Sequence, residues 1–268
     1  MSHFSCVVIG NESLLIGCAE AVLAEGHTIA AVVSTNGDIR AWARDKELVV
    51  LDAPSDIPAE ITAPFDWLLS IANLRVIPDQ VLAQATKGAV NFHDGPLPRY
   101  AGLNTPNWAI MAGEAQHGIT WHMMEGGIDE GDILAQRLFD IAGDETAFSL
   151  NSKCYAAAMD SFGEVLQQLA ANELQRQPQD LSARSYFGRD HRPAADAILD
   201  FSTSTQALCQ LVRALDFGPY WNPLCCAKLQ LADQILRVGK ASPAEGTGSD
   251  GTGSEGTVLS VTGAVVTV

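Results

Sequence analysis

The feature that most constrains this chain is an alternation of short, wholly apolar runs with helix-patterned segments across residues 6–93. Cys6-Val7-Val8-Ile9 forms such a run and stops at Gly10-Asn11. A helix is predicted over 13–24, with Leu14, Leu15, Cys18 and Val22 at helical spacing and Gly26 as its stop. The pattern then gives a strand over 29–33, a helix over 39–46, strands over 49–51 and 67–71, a helix over 79–85 after Pro78, and a strand over 89–93. Runs that are apolar throughout suit strands covered on both faces, and strands separated by helices pair in parallel. The fold class expected is therefore α/β: a Rossmann-like, mostly parallel sheet with helices on both faces.

Beyond this region the pattern predicts a helix over 107–112, strands over 118–124 and 133–139, and a helix over 148–171. That last helix carries Leu150, Phe162, Val165, Leu166 and Leu169 on one face. Residues 172–193 are polar, hold Pro178 and Pro193, and lack periodicity, so they read as a connection. A second unit follows, with a helix over 205–215 and strand patterns at 228–238, 257–261 and 264–268. The domains expected are a catalytic domain over 1–188 and a C-terminal subdomain over 189–268. The Gly/Ser-rich stretch 241–256 reads as a flexible loop, since such a composition buries too little surface to offset its ordering entropy. An apolar strand at 265–268 with no tail beyond it suggests an N-terminal fragment of a longer polypeptide.

Composition narrows the function classes. Hydrophobic residues make up 47% of the 268, which excludes a disordered acidic tail. The net charge of −16 repels phosphate backbones, so no nucleic-acid partner is expected. Residues 190–268 carry eight acidic and five basic side chains, so they supply no basic surface either. No apolar run approaches the ~18–20 residues that span a bilayer, and residues 1–5 lack the basic region of a signal peptide. No membrane partner is expected. Six cysteines without C-x-x-C spacing fit a reducing, cytoplasmic setting. His117 and His122, five apart on a strand, fall on opposite faces, so no metal site is expected. Neither a P-loop nor a G-x-G-x-x-G fingerprint occurs.

The chemistry-bearing stretch is 91–134. Asn91 and His93 sit two apart at the end of an apolar strand, so their side chains point the same way. They emerge at the carboxyl ends of the strands, where open α/β sheets hold ligands. A rigid turn, Asp94-Gly95-Pro96-Leu97-Pro98, follows at once, and residues 125–132 form a loop rich in carboxylates and glycines. An amide, an imidazole and a carboxylate without Ser or Cys suit direct acyl transfer between amines. The amide donates to a developing oxyanion, and the imidazolium donates a proton. Local spacing leaves plainer roles open: a structurally satisfied histidine, Asn91 bonded to backbone, and Asp129 and Asp132 as turn caps.

N-F-H at 91–93, L-P-R-Y-A-G at 97–102 and G-I-D-E-G-D-I-L at 127–134, in that order, resemble the 10-formyltetrahydrofolate-dependent formyltransferase family. The methionyl-tRNA, glycinamide ribonucleotide and sugar-nucleotide formyltransferases belong to it. The resemblance is densest over 71–134. In the C-terminal part, L-V-R-A-L-D at 211–216 and G-P-Y at 218–220 are similar to the opening of the family's small OB-like subdomain, which is expected to be incomplete here. The resemblance implies a catalytic trio of Asn91, His93 and Asp129. Asn91 donates to the formyl oxygen, His93 relays a proton to the leaving nitrogen, and Asp129 keeps the imidazole charged. It also implies 10-formyltetrahydrofolate as co-substrate, without a metal. Leu74, Arg75, Val76 and Ile77 would bind the pterin on one side, and Met124 and Ile128 would form the opposite wall. From the residues alone, 74–77 would be ordinary core.

One departure concerns the turn after His93. Many members have Ser-Leu-Leu-Pro there, where this chain has Asp94-Gly95-Pro96-Leu97-Pro98. Together with Gly218-Pro219-Tyr220-Trp221-Asn222-Pro223-Leu224, this is similar to formyltransferase domains at the N-terminus of nonribosomal peptide synthetases. That resemblance implies an aminoacyl thioester on a carrier protein as acceptor, with an adjoining adenylation domain. The alternatives are an amino sugar nucleotide, for which Arg99 is the obvious basic residue near the site, and hydrolysis of formyltetrahydrofolate.

Overall fold

Strands and helices alternate through the first hundred residues in a computed structural model that describes residues 3–243, 260–262 and 265–267. The order is β1 (Ser5–Ile9), α1 (Leu14–Ala24), β2 (Thr28–Val33), α2 (Gly37–Asp45), β3 (Val50–Leu51), α3 (Ile57–Glu60), β4 (Phe65–Ser70), α4 (Asp79–Leu82) and β5 (Ala85–His93). It continues with β6 (Ala101–Gly102), α5 (Thr105–Met111), β7 (Gln116–Met123), β8 (Ile133–Asp140), α6 (Ala147–Ala171) and β9 (Tyr186–Phe187). The chain divides into two compact units, the first made of residues 1–105, 116–140 and 151–189.

Seven strands of this unit form one sheet in the order β3-β2-β1-β4-β5-β7-β8. Pairings from β3 through β5 are parallel, whereas β7 and β8 join antiparallel. The wholly apolar runs come from the parallel part. Along β1, Cys6 and Val8 enter one apolar cluster and Val7 and Ile9 the other, so both faces are buried. The first cluster takes Leu15, Cys18 and Val22 from α1, Ile39 and Ala43 from α2, and Cys154, Ala158, Phe162, Val165 and Leu169 from α6. Ile57 of α3 and Val81 of α4 cover the opposite face. Burial pushes the thiols of Cys6 and Cys18 up, as befits inert core residues.

The strand and helix assignment needs one correction. Residues 83–85 are not helical: α4 ends at Leu82, and β5 starts at Ala85, four residues before the expected strand. Ala85 pairs with Phe65, while exposed Thr86 and Lys87 and a left-handed Gly88 (φ 134°) interrupt the apolar pattern that would have revealed the strand. Lys87 is there for a partner, with Nζ 3.1 Å from Asp66.

The second unit comprises residues 106–115, 141–150 and 190–268. Its helix α7 (Thr205–Ala214) is capped by Ser204, whose Oγ accepts from the Ala207 N–H at 3.2 Å, and buries Cys209 and Val212. The described strands β10 (Lys228–Leu231) and β11 (Gln234–Arg237) form one antiparallel pair, and β12 (Ser260–Thr262) and β13 (Val265–Thr267) another. Most of the expected loop, residues 244–256, lies outside the described residues. No helix among the described residues is long and apolar enough to cross a membrane.

Candidate active site

Two neighbouring strands of the first unit build the site. β5 and β7 run antiparallel with Asn91 opposite His122 and His93 opposite Thr120, so these four side chains share one face. The loop of residues 124–132, which joins β7 to β8, brings Asp129 to them. Its carboxylate lies between the two imidazoles: Oδ2 is 3.7 Å from His93 Nδ1, and Oδ1 is 3.5 Å from His122 Nε2. Asn91 Nδ2 is 3.1 Å from the same His122 nitrogen. The expected trio is thus assembled, with a fourth member, His122, between Asn91 and Asp129.

Backbone contacts explain the flanking motif. His93 Nε2 lies 2.7 Å from the Tyr100 carbonyl oxygen, which only accepts, so this nitrogen carries a proton. A Cβ on Gly95 would lie 2.5 Å from the Tyr100 carbonyl oxygen and 2.7 Å from His93 Nε2, so the turn closes over the imidazole only with glycine there. Gly102 has φ 99°, and its N–H donates to Asp129 Oδ2 at 2.8 Å. The turn is pinned by Thr120, whose Oγ donates to Gly95 O at 2.8 Å and accepts from the Leu97 N–H at 3.1 Å.

Burial works to raise the Asp129 carboxyl. The charge of His93, the bond and charge of His122 and the Gly102 N–H outweigh it, holding the group well below the usual carboxylate range. Asp129 is therefore an anion throughout the neutral range.

The loop bearing Asp129 is tied down from residues 176–184, part of the stretch read from sequence as a mere connection. Gln179 Nε2 donates to the carbonyls of Asp129 (2.9 Å) and Gly131 (2.7 Å), which sets Asp129 in its left-handed conformation (φ 57°). Arg176 pairs with Asp132 at 2.8 Å and also with Glu125, and Arg184 donates to Ile128 O at 2.9 Å. Asp132 is thus an ion-pair partner of Arg176.

The residues expected to bind the pterin fall in two places. Leu74 and Val76, 67% and 78% exposed, are not core, contrary to the pattern-based reading. They stand on the loop after β4, where Asn73 holds the Arg75 backbone by donating to its carbonyl at 2.8 Å and accepting from its N–H at 3.1 Å. Ile77 is buried in the cluster against which Met124 packs, and Ile128 is half-exposed on the 124–132 loop. His122 was not legible because its place opposite Asn91 depends on the antiparallel β5–β7 register. His117 is elsewhere, with Nε2 2.8 Å from Asp94 O. Among the described residues no group of three or more His, Cys, Asp or Glu side chains is placed to hold a metal ion.

Residues 62–166 match the family described as formyl transferase. The fold matches the sugar 3-N-formyltransferase WlaRD, in a structure with dTDP and 5-N-formyl-THF, at TM-score 0.67 and 19% identity over 80% of each chain. It also matches the N-formyltransferase from Helicobacter canadensis, in complex with folinic acid and dTDP-3-aminofucose, at TM-score 0.65 and 19% identity over 79% of this chain and 80% of that one. HypX from Aquifex aeolicus, in complex with tetrahydrofolic acid, matches 97% of this chain at TM-score 0.69 and 19% identity; the match spans 41% of HypX. Residues 62–166 are thus similar to the formyl transferase family, on a fold that these proteins share.

Proposed function

We propose that the chain transfers the formyl group of 10-formyltetrahydrofolate to a primary amine carried by an amino sugar nucleotide. The observation that carries the reading is the convergence of Asn91, His93 and Asp129 inside the matched segment. Exposed Leu74, Val76 and Ile128 offer the apolar surface that a pterin ring needs, and Asn91 offers an N–H to a formyl oxygen. The co-substrate supplies a formyl group on nitrogen, with tetrahydrofolate as the leaving amine.

The chain's own residues do the rest. The Asn91 amide donates to the oxygen that gains charge as the amine attacks, a contact worth about 10²–10³-fold in comparable sites. With the His93 Nε2 proton on Tyr100 O, Nδ1 is the atom at which a proton is held and given up, a role worth on the order of 10²–10⁴-fold. Anionic Asp129 faces that atom and keeps the proton there. Direct attack by a neutral amine explains why no Ser or Cys nucleophile is needed.

The acceptor is argued from the neighbours, since WlaRD and the Helicobacter canadensis protein are named for N-formylation and their structures hold dTDP or a dTDP-amino sugar. The aminoacyl carrier protein rests on the resemblance to synthetase domains. Incubation with 10-formyltetrahydrofolate and four acceptors decides: an amino sugar nucleotide, an aminoacyl carrier protein, Met-tRNA and water. Formylation of the sugar amine is expected. Formylation of the carrier-bound amine alone would overturn the acceptor, and formate release alone would make the chain a hydrolase.

A further inference from the structure

Two carboxylates face His93 Nδ1, and the trio that the motifs indicate accounts for one of them. Asp129 Oδ2 is 3.7 Å away and Asp94 Oδ1 is 3.9 Å away. Their surroundings differ. The Asp129 side chain is 10% exposed and takes the Gly102 N–H, whereas the Asp94 side chain is 29% exposed. Asp94 also opens the turn by which the chain departs from many members of the family it resembles. Its place is fixed through its backbone: the carbonyl oxygen accepts from Thr105 Oγ1 at 2.5 Å and from His117 Nε2 at 2.8 Å. Its Oδ1 takes a longer bond from the same Thr105 hydroxyl, at 3.3 Å. On α6, Tyr155 feels this carboxylate too. Burial first, then the charges of Glu12 and Asp94, push the Tyr155 hydroxyl up, which keeps it protonated and unfit as a base.

We propose that Asp94 is a further catalytic residue: its carboxylate accepts an N–H of the incoming amine, takes the proton that this nitrogen sheds, and hands it to His93 Nδ1. The inference rests on the formyl-transfer reading and adds the base that the reading lacks. When the bond from the acceptor nitrogen to the formyl carbon forms and the bond from that carbon to the leaving nitrogen breaks, one proton leaves the first nitrogen and one arrives on the second. His93 Nδ1 gives the arriving proton, so a different group must receive the departing one. Asp129 is enclosed, with Oδ2 on the Gly102 N–H and Oδ1 3.5 Å from His122. Asp94 has the exposure to meet an amine and the proximity to reload Nδ1. Its 3.9 Å separation closes to a hydrogen bond with a small rotation, as catalytic contacts tighten when substrate is bound. The proton circuit then closes with no outside base.

The test uses 10-formyltetrahydrofolate and whichever amine the parent formylates among the four acceptors above. Asp94→Asn keeps the size of the side chain and an oxygen for the amine N–H, but it cannot take the proton. It should lower kcat about 10²-fold with the folate KM within about twofold. Both bonds to the Asp94 backbone carbonyl survive the substitution, so the variant should unfold at the parental urea midpoint. Asp94→Ala should lose as much activity, and acetate added in solution should restore its rate at least about tenfold by standing in for the missing carboxylate. A merely structural loss would not respond to acetate. Parental kcat in Asp94→Asn, or an Asp94→Ala rate indifferent to acetate, would overturn the role of Asp94 and leave the formyl-transfer reading standing. A parent that formylates no amine would overturn both.

Discussion

The 124–132 loop and the loop after β4 are held differently. The first is strapped by Gln179, Arg176 and Arg184, and its Asp129 sits between two imidazoles and the Gly102 N–H. The second is folded on its own Asn73 and leaves Leu74 and Val76 in solvent. Groups that stabilise charge in a transition state are useful only if they are already in place, because reorganising them would cost what they contribute. Apolar groups that meet a flat ring need exposed area instead. The proposed reading thus assigns rigid chemistry to one loop and waiting surface to the other.

Substitutions should break the two regions in different ways. The largest effects belong to the strapped side: Asn91→Ala, His93→Ala and Asp129→Asn should each lower kcat by about 10²–10⁴-fold with little change in the folate KM. Next comes Gly95→Ala, whose Cβ meets the Tyr100 carbonyl and His93. It should destabilise the fold by about 1–3 kcal/mol in urea titrations and lower kcat as well. On the exposed side, Leu74→Asp and Val76→Asp should raise the folate KM about tenfold, consistent with losing part of an apolar contact, with stability within about 0.5 kcal/mol of the parent. A shift in kcat alone from these two would contradict the division.

The pH dependence of stability sharpens the same contrast. The Asp129 carboxyl is depressed in the folded chain, so its stabilisation is fully present above the unfolded value near ~3.9 and is lost as pH falls below it. Between pH 5 and pH 3, on the order of a urea-titration range, the parent should therefore lose stability faster than Asp129→Asn, by at most about 1.4 kcal/mol per pH unit. The smallest effect is expected at Arg176→Ala. Its pairs with Glu125 and Asp132 are partly solvent-exposed, so the loss should be about 0–1 kcal/mol and shrink with added salt.

The parallel half of the sheet was legible because both faces of β1, β2 and β4 are buried, which writes unbroken apolar runs into the sequence. Asn91 and His93 could be placed on one face from their spacing alone, and Asp129 came through the G-I-D-E-G-D-I-L resemblance. His122 was not legible, since its closeness to Asn91 depends on an antiparallel register that no local pattern encodes. Gln179 and the two arginines stayed hidden because they act through single hydrogen bonds to a loop distant in sequence, from a segment with no periodicity. Leu74 and Val76 misled in the opposite sense, because an exposed apolar side chain looks, in sequence, like one kept for the core.

The central claim is that the Asn91, His93 and Asp129 cluster carries formyl transfer. It is tested most directly by the single-turnover rate at which the N-formyl product appears from 10-formyltetrahydrofolate in the parent and in His93→Ala, with the accepting amine saturating. The account predicts one tetrahydrofolate released per formylated amine in the parent and a rate at least about 100-fold lower in the variant. A variant that forms product at the parental rate would contradict it.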